Sequence, residues 1–535
     1  MTTELKYMSV LFKNYMLPPD KIPMVVSNTI LAGQFFGETG LAVVSFFAPI
    51  YFLFETVGYW INYGAFSKSI ESIGKNETEL ARSYSKLALI LSIVAGILVS
   101  IAVIFMFQKI VIFFEIPEEL HSKAMSYGMM LAVSGIFLVI ASYFWHFVKL
   151  IGLQARIRKI YLVIMLVDIV AVCICVKIFG LGIESLSIGM LVTDLFIILM
   201  AGMWLKNSMG SNWFATIQRP VESIKEIFLA GSAASASKFY SLVIVLLFNW
   251  GTMKFFGVEG VAIFAVIQVA MRICRLHSQV TWQPLSPILT MEFADKNEKS
   301  MQILLKHSLK QAIIMAVLPA IVIFIGADYF MSSPDISTPT HDFAVKSFRA
   351  YSLSVVFAAI NSIFIIWYSV LNHRILANVL EFLRTLVFVV IFLRFITPDQ
   401  MFGAFIFAEC VTLILIIASR YILKNHDFNA STFFVVDRQI GLNDENQIPE
   451  KYRDFISKWI DLVKNFSDTP KNNFTSVHII EKSNETQITL RSMGNLFDYR
   501  ENDRAMELLK NLDGLIYHKI TFTLGMNNLY LKISH

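Results

Sequence analysis

Long apolar stretches separated by short polar segments make up most of the chain. A run of about 20 apolar residues is long enough to cross a bilayer as a helix. Twelve such runs lie at residues 18–36, 41–66, 84–108, 124–148, 158–180, 184–205, 224–251, 258–282, 304–327, 346–370, 376–396 and 401–423. The first begins among prolines and charged residues, so we expect its start to be kinked or to lie outside the hydrocarbon.

A sequence repeat relates the two halves of this apolar region. GETGLAVV begins at Gly37 and GVEGVAIF begins at Gly257, 220 residues later. A second pair, GKNE from Gly74 and DKNE from Asp295, has an offset of 221 residues. An offset that spans six helices, an even number, returns the second copy to the same side of the membrane. We therefore predict two parallel six-helix lobes, residues 1–210 and 211–424, with a substrate site between them that opens alternately to each side.

Composition and charge agree with a membrane protein of defined orientation. Hydrophobic residues are 56%, charged residues only 16%, and the mean hydropathy is +0.61, whereas soluble domains carry about 25% charged residues. Basic residues cluster in alternate loops, which predicts that those loops and both termini are cytoplasmic. The net charge of +5 is small, so we expect membrane lipid rather than nucleic acid as the partner. The predicted location is the plasma (inner) membrane of a prokaryote, crossed many times.

The cysteines and the absence of a nucleotide-binding motif narrow the chemistry. All four cysteines lie in apolar runs and are typical of small core residues, so no disulfide framework and no metal site is expected. No GxxxxGK[ST] motif is present, so this is not a conventional P-loop pump. We expect no firm cofactor, and energy from an ion gradient or from the substrate's own gradient.

The last part of the chain, residues 425–535, is too polar to span a membrane and is predicted to be a small α+β cytoplasmic domain. Apolar residues at helical spacing predict helices at 449–466 and 501–512. Alternating patterns predict strands at 475–481, 486–492, 517–525 and 528–534.

Ionisable residues inside predicted spans are costly, so each is a functional hypothesis. They are Glu55, Asp168 and Asp194 in the first lobe, and Lys238, Arg272, Glu381, Arg384 and Glu409 in the second. A carboxylate held away from water can take up a proton on one side of the membrane and release it on the other. A cationic substrate that competes for the same carboxylate would then be exchanged for the ion.

Structural roles for these residues stay open. Glu55, among aromatic residues, is either a transport residue or an interhelical polar contact. Asp194 and Glu409, each five or six residues after a glycine in the last helix of a lobe, share either a structural role or a place at the lobe interface. Asp168 is comparable.

Three further positions have a specific alternative. Glu381 and Arg384 are three residues apart on one helix and are expected to pair with each other. Lys238 could attract an anionic substrate or pair with Asp168 or Glu55, whereas Arg272 and Arg275 could simply extend toward the membrane surface.

Several segments resemble the MATE family of multidrug and toxic compound exporters. They are NTILAGQFFGETGLAVVSFFAPI, GAFSKSIESIGKNETELA, EELHSKAMSYGMML, FGLGIESLSIGML, GVEGVAIFAVIQVAMRI and EFLRTLVFVV, and the resemblance covers roughly residues 10–423. It implies a twelve-helix antiporter driven by H⁺ or Na⁺. Many members have an aspartate where this chain has Asn28, and some have a glutamate where it has Ser241. Asn28 cannot titrate, so coupling either rests on Glu55, Asp168 or Asp194 or is weak.

The C-terminal domain resembles a degenerate histidine-kinase-type ATPase domain. Asp461 and Asn465 are similar to that family's E-x-x-x-N element, and LRSMGNLFDY is similar to its adenine-binding segment, with Gly494 retained. Ser492 stands where the family has the aspartate that binds adenine. The resemblance therefore implies an allosteric or partner-docking module rather than an ATP-hydrolysing one.

Taken together, these features predict a secondary exporter, not an enzyme, that moves small amphipathic cations by alternating access coupled to H⁺ or Na⁺. The alternatives are a flippase for a lipid-linked anionic molecule, with Lys238, Arg272 and Arg275 at its head group, and a transporter-like sensor that signals through the C-terminal domain. We also expect a cytoplasmic protein partner of the C-terminal domain.

Overall fold

The fold is taken from a computed structural model. It describes residues 22–74, 77–150, 154–209, 217–294, 298–331, 338–371, 373–423, 436–439, 450–464, 475–481, 485–493, 502–523 and 526–534. The chain divides into two compact units. One comprises Asn14–Trp282 with Gln311–Ile416, and the other includes Gln283–Lys310 and Ile417–His535.

In the part of the membrane region that the structure describes, the regular elements are helices. They are α1 (Ile22–Gly74), α2 (Thr78–Phe113), α3 (Glu118–Leu150), α4 (Gln154–Lys177), α5 (Glu184–Met209), α6 (Pro220–Ala294), α7 (Glu298–Met331), α8 (Thr338–Val370), α9 (Arg374–Phe382), α10 (Phe388–Leu393) and α11 (Gly403–Leu423). Among the described residues, eight helices are long and apolar enough to cross a membrane, and Gly403–Ser419 is a shorter apolar helix.

The two longest helices are each broken by one glycine. Gly37 in α1 has φ 62° and ψ −152°, and Gly257 in α6 has φ 62° and ψ −153°. This backbone region is essentially restricted to glycine. Each break separates two predicted membrane spans within one long helix, α1 at Gly37 and α6 at Gly257. With these two helices counted twice, and α9 and α10 counted as one span, the eleven described helices agree with the predicted twelve-span, all-α membrane protein.

The eleventh predicted span, 376–396, is not one regular helix. A π-helical turn, Leu383–Val387, separates α9 from α10. The apolar helical stretch Arg374–Leu393 confirms the predicted span, and the irregular turn within it contains Arg384. The predicted kink at residues 18–21 lies outside the described residues.

Aromatic packing holds the helices α1, α2 and α3 together. The Phe47 ring stacks on Phe107 with 5.8 Å between ring centroids and meets the edge of Tyr127. Helix α3 presents Gly128 and Gly135 to the rings of Phe47 and Phe54, where an added Cβ would overlap the ring atoms. Small residues thus let these helices approach closely, as is common in membrane helix pairs.

The C-terminal domain is α+β, as predicted. Its strands are β1 (Val436–Gln439), β2 (Thr475–Glu481), β3 (Glu485–Met493), β4 (Leu515–Thr523) and β5 (Met526–Ser534), and its helices are α12 (Glu450–Lys464) and α13 (Asp503–Lys510). All strand pairs are antiparallel, in the order β1-β2-β3-β5-β4. Both helices and four strands match the sequence-based prediction, whereas β1 was missed because VDRQ is short and polar.

The core of this domain follows the alternation of the strands. Ile488 and Leu490 of β3 and Leu529 and Leu531 of β5 are buried with Trp459 of α12. Residues two apart point to the same face of a strand, so β3 and β5 present one apolar face to the helices.

Candidate functional site

One face of α1 combines a single carboxylate with a line of aromatic rings. Phe52, Glu55, Tyr59, Tyr63 and Phe66 follow at spacings of three or four residues, which places them on the same side of the helix. We call these five residues the aromatic stripe. The rings of Tyr59 and Tyr63 stack with 5.2 Å between centroids, and both rings meet the edge of His146 on α3.

Cationic side chains of the second lobe lie on this stripe. Lys238 of α6 forms an ion pair with Glu55, and its Nζ lies 5.3 Å from the centre of the Tyr59 ring. Arg272, farther along α6, has its guanidinium 4.8 Å from the centre of the Phe52 ring. Cations over aromatic faces are stabilised by the ring quadrupole, the more so where water is partly excluded. Of the two partners considered for Lys238, the structure selects Glu55 rather than Asp168.

The Glu55–Lys238 pair is half-buried. The side chains are 28% and 25% exposed, respectively, so the pair is neither a free surface contact nor sealed in the core. A pair of this kind joins the first and second lobes and yet can be reached by a competing charged molecule.

The same two helices cross closely farther along. A Cβ built on Gly64 of α1 would overlap the carbonyl oxygen of Ile227, and one built on Gly231 of α6 would overlap that of Trp60. Trp60 Nε1 also donates a hydrogen bond of 2.8 Å to the Phe228 carbonyl. The lobes therefore meet backbone to backbone here, and only glycine allows it.

A third contact between the lobes lies nearer the glycine breaks. Ser45 of α1 donates to Asn249 Oδ1 at 2.8 Å, and Asn249 donates back to the Ser45 carbonyl at 2.5 Å. Gln268 donates to the Ser45 hydroxyl at 3.1 Å. All three side chains are buried, so this network is a polar contact shielded from water.

The first lobe has its own acidic site. Asp168 of α4 and Asp194 of α5 are both buried and interact electrostatically. Ser27 donates a 2.9 Å hydrogen bond to Asp168 Oδ2, while Asp168 Oδ1 is buried without a hydrogen-bond partner. Asn28, next to Ser27 in the chain, is buried with neither amide atom paired. Unsatisfied buried oxygens of this kind fit a proton or a small cation.

The second lobe has a separate charged cluster. Arg384 pairs with Glu381 at 2.8 Å, as the spacing predicts, and its Nε lies 3.7 Å from Glu409. Asp194 and Glu409, which follow glycines in similar places, thus lie in different environments. Asp194 lies near another carboxylate, Asp168, whereas Glu409 lies in an ion cluster with Arg384. Ser241, at the position compared with a glutamate, donates to the Ser237 carbonyl of its own helix at 3.0 Å.

The residues proposed for a degenerate nucleotide site are only partly described. Asp461 is exposed on α12, and Ser492 lies in β3 opposite Thr475 and Asn527. Asn465 and Gly494 lie outside the described residues, as does the side chain of Arg275.

Sequence reasoning missed several polar partners. The aromatic stripe was available from the spacing of Glu55, Tyr59, Tyr63 and Phe66, but only the ionisable member was singled out. Asn361, Asn249 and Gln268 are uncharged, so the search for ionisable residues within spans did not find them. Each is an amide in an apolar helix, a signal that a wider search would have used.

Part of the membrane region matches a known protein family. Residues 24–174 match the MatE family model. Among solved structures, the chain is similar to an inward-facing multidrug resistance MATE family transporter of the MOP superfamily, at 17% identity and TM-score 0.69, covering 79% of this chain and 100% of that one. It is also similar to an outward-facing MATE transporter of that superfamily, at 16% identity and TM-score 0.61, covering 79% and 96% of the chains.

A further similar structure is the Vibrio cholerae MATE transporter VcmN in its bent form, at 14% identity and TM-score 0.60, covering 79% of this chain and 99% of that one. A comparison with curated protein sequences finds no match.

The membrane part thus shares its fold with MATE family transporters of known structure. The predicted resemblance to the MATE family is confirmed, and the family model matches residues 24–174.

Proposed function

We propose that this protein is a secondary exporter of small amphipathic cations, driven by an inward gradient of H⁺ or Na⁺. The observation that carries the proposal is the Glu55–Lys238 pair on the aromatic stripe. Lys238 makes the two contacts that a planar organic cation needs, a carboxylate and an aromatic face. A substrate cation can replace the lysine at Glu55 and so part the two lobes at that point.

Coupling is assigned to the acidic site of the first lobe. Asp168, Asp194 and Asn28 are buried there, and Asp168 and Asn28 have polar atoms without a hydrogen-bond partner. Binding of an ion at this site changes the charge between α4, α5 and the start of α1. Because the aromatic stripe lies on the same helix α1, a shift in α1 is the simplest route from ion binding to the substrate pair.

A flux experiment in proteoliposomes tests the proposal. With an imposed pH or sodium gradient, the wild type should transport ethidium, and Glu55→Gln should abolish the gradient-dependent part. The matched control is Glu71→Gln, also on α1, whose partner is the nearby Lys68 at 2.8 Å; it should transport normally. Gradient-driven transport in a variant lacking Glu55, Asp168 and Asp194 would contradict the proposal.

The flippase alternative is distinguished in the same system. Glu55 and Lys238 neutralise each other, so a cation would have to displace Lys238 and an anionic head group would have to displace Glu55. The Tyr59 ring beside the pair favours the cation, because an aromatic face attracts positive charge. If Lys238→Ala impairs movement of an anionic lipid-linked probe more than Glu55→Gln impairs ethidium movement, the flippase is supported instead.

Location and topology belong to the same proposal. We place the protein in a prokaryotic plasma (inner) membrane with both termini in the cytoplasm, on the distribution of lysine and arginine among the loops. Labelling of single cysteines in intact cells, in a background without the native cysteines, tests it. Residues 74–77 should be protected, and residues 115–118 should be labelled.

For the C-terminal domain we propose a regulatory or partner-docking role. Ser492 cannot supply the acceptor that an adenine-binding aspartate would. Calorimetry on the purified full-length protein should therefore show no heat of ATP binding. Micromolar binding that is lost on Asn465→Ala would contradict this, and would favour a nucleotide-responsive transporter or sensor.

A further inference from the structure

The charged cluster of the second lobe lies at an irregular place in the fold. Arg384 belongs to the π-helical turn Leu383–Val387, Glu409 belongs to α11, and Asn361 belongs to α8. Single π-helical turns inside α-helices are frequent at functional sites. The side chains of Arg384 and Glu409 are only 10% and 14% exposed, so the cluster is largely removed from water.

Arg384 is held more firmly by one carboxylate than by the other. It donates to Glu381 Oε2 at 2.8 Å, and its Nη1 donates to Ser362 Oγ at 3.0 Å and to the Ala358 carbonyl at 3.2 Å. Toward Glu409 there is only an electrostatic contact of 3.7 Å, and Arg384 Nε makes no hydrogen bond.

Glu409 is instead held by an amide. Asn361 Nδ2 donates to Glu409 Oε2 at 2.7 Å and to the Glu409 carbonyl at 2.9 Å. Asn361 is fully buried, and its Oδ1 has no hydrogen-bond partner. An amide carries an acceptor beside its donor, so Oδ1 can accept a hydrogen bond from a protonated Glu409 after rotation of the side chain.

The charges of the cluster do not cancel. Two carboxylates face one guanidinium, which leaves one negative charge. The other titratable neighbours, Tyr240 beside Glu381 and Cys410 beside Glu409, are neutral near neutral pH. An uncompensated charge in a site removed from water is costly, and one bound proton removes it.

We propose that Glu409, with Asn361, Arg384 and Glu381, forms a proton-binding site of the second lobe that takes up one proton on Glu409. The proton adds to a carboxylate oxygen, and no other bond forms or breaks. Neutral Glu409 no longer attracts Arg384, which then pairs with Glu381 alone, and the π-helical turn that carries Arg384 is free to shift. This inference rests on the proposed exporter, to which it adds an ion site in the second lobe.

Infrared difference spectroscopy on the full-length protein in lipid nanodiscs tests the site without substrate or gradient. The background is Asp168→Asn with Asp194→Asn, which removes the two buried aspartates of the first lobe. Acidification should produce the C=O stretch of a buried protonated carboxyl. The band should disappear in Glu409→Gln and change frequency in Asn361→Leu. In Glu381→Gln it should appear only at lower pH, because Arg384 then faces Glu409 alone and the cluster has no excess negative charge.

Opposite outcomes overturn the inference. They are a band that survives Glu409→Gln, a band that depends on Glu381 instead, the absence of any band, or a band that responds to Na⁺ and not to pH. Glu409→Asp, which should keep a band with a shifted pH midpoint, guards against misfolding of the glutamine variant. Because ethidium transport plays no part here, failure of this site and failure of the exporter proposal remain distinguishable.

Discussion

Gly37 and Gly257, 220 residues apart, adopt the same backbone conformation, with φ 62° in both and ψ of −152° and −153°. Three residues after each, Gly40 and Gly260 lie so close to Phe36 and Phe256 that an added Cβ would overlap them. The sequence repeat is therefore also a structural repeat, because each copy connects one span to the next through the same backbone conformation.

Replacing either glycine of this pair by alanine should destabilise the protein. The surroundings of both are open, with no atom within 4 Å of an added Cβ, so the cost is that of the backbone conformation, about 1–3 kcal/mol. Thermal unfolding of Gly37→Ala and Gly257→Ala should show similar losses. Gly403→Ala is the control, since its added methyl also meets open space without a positive φ. Equal stability of all three variants would contradict a cost from the backbone conformation, and unequal losses at Gly37 and Gly257 would contradict their equivalence.

The Glu55–Lys238 pair should show a measurable coupling energy. A double-mutant cycle with Glu55→Gln and Lys238→Gln should give about 1–3 kcal/mol in the free energy of unfolding, because the pair is half-buried and each partner left alone keeps an uncompensated charge. The comparison pair is Lys68 and Glu71 on the same helix, whose side chains are 27% and 46% exposed. It should couple by about 0.5 kcal/mol or less. Equal coupling in the two cycles would argue against a special role for Glu55.

The crossing of α1 and α6 should be sensitive to a single methyl group. Gly231→Ala places a Cβ against the Trp60 backbone and should disfavour this arrangement of the lobes. The measurement is disulfide formation between Trp60→Cys and Phe228→Cys in a background without native cysteines. Cross-linking should fall several-fold with Gly231→Ala and stay unchanged with Gly403→Ala. Unchanged cross-linking in both would mean that the lobes do not pack this closely in the membrane.

Much of the fold could be predicted because its causes are local. Apolar runs of bilayer length predict the spans, the repeat predicts the matching breaks at Gly37 and Gly257, and strand alternation predicts four of the five described strands of the C-terminal domain. The π-helical turn at Leu383–Val387 could not be predicted in this way, since EFLRTLV has an ordinary helical pattern. The π-helical turn carries Arg384, whose side chain contacts Ser362 of α8 and Glu409 of α11.

The candidate site was predictable only in its residue types. Hydropathy marks Glu55, Asp168 and Lys238 as costly, but which of them pair depends on how two lobes far apart in sequence pack together. Lys238 therefore had two possible partners until the structure placed it on Glu55 and Tyr59. Asn361 and Asn28 carry no charge, and their importance rests on burial with unpaired amide atoms, which a sequence does not display.

The most direct test of the central claim is a cryo-electron microscopy map of the full-length protein with bound ethidium. The account predicts density for this cation against Glu55 and the rings of Tyr59 and Tyr63, with Lys238 displaced from the carboxylate. An undisturbed Glu55–Lys238 pair, with the cation bound elsewhere in the protein, would contradict it.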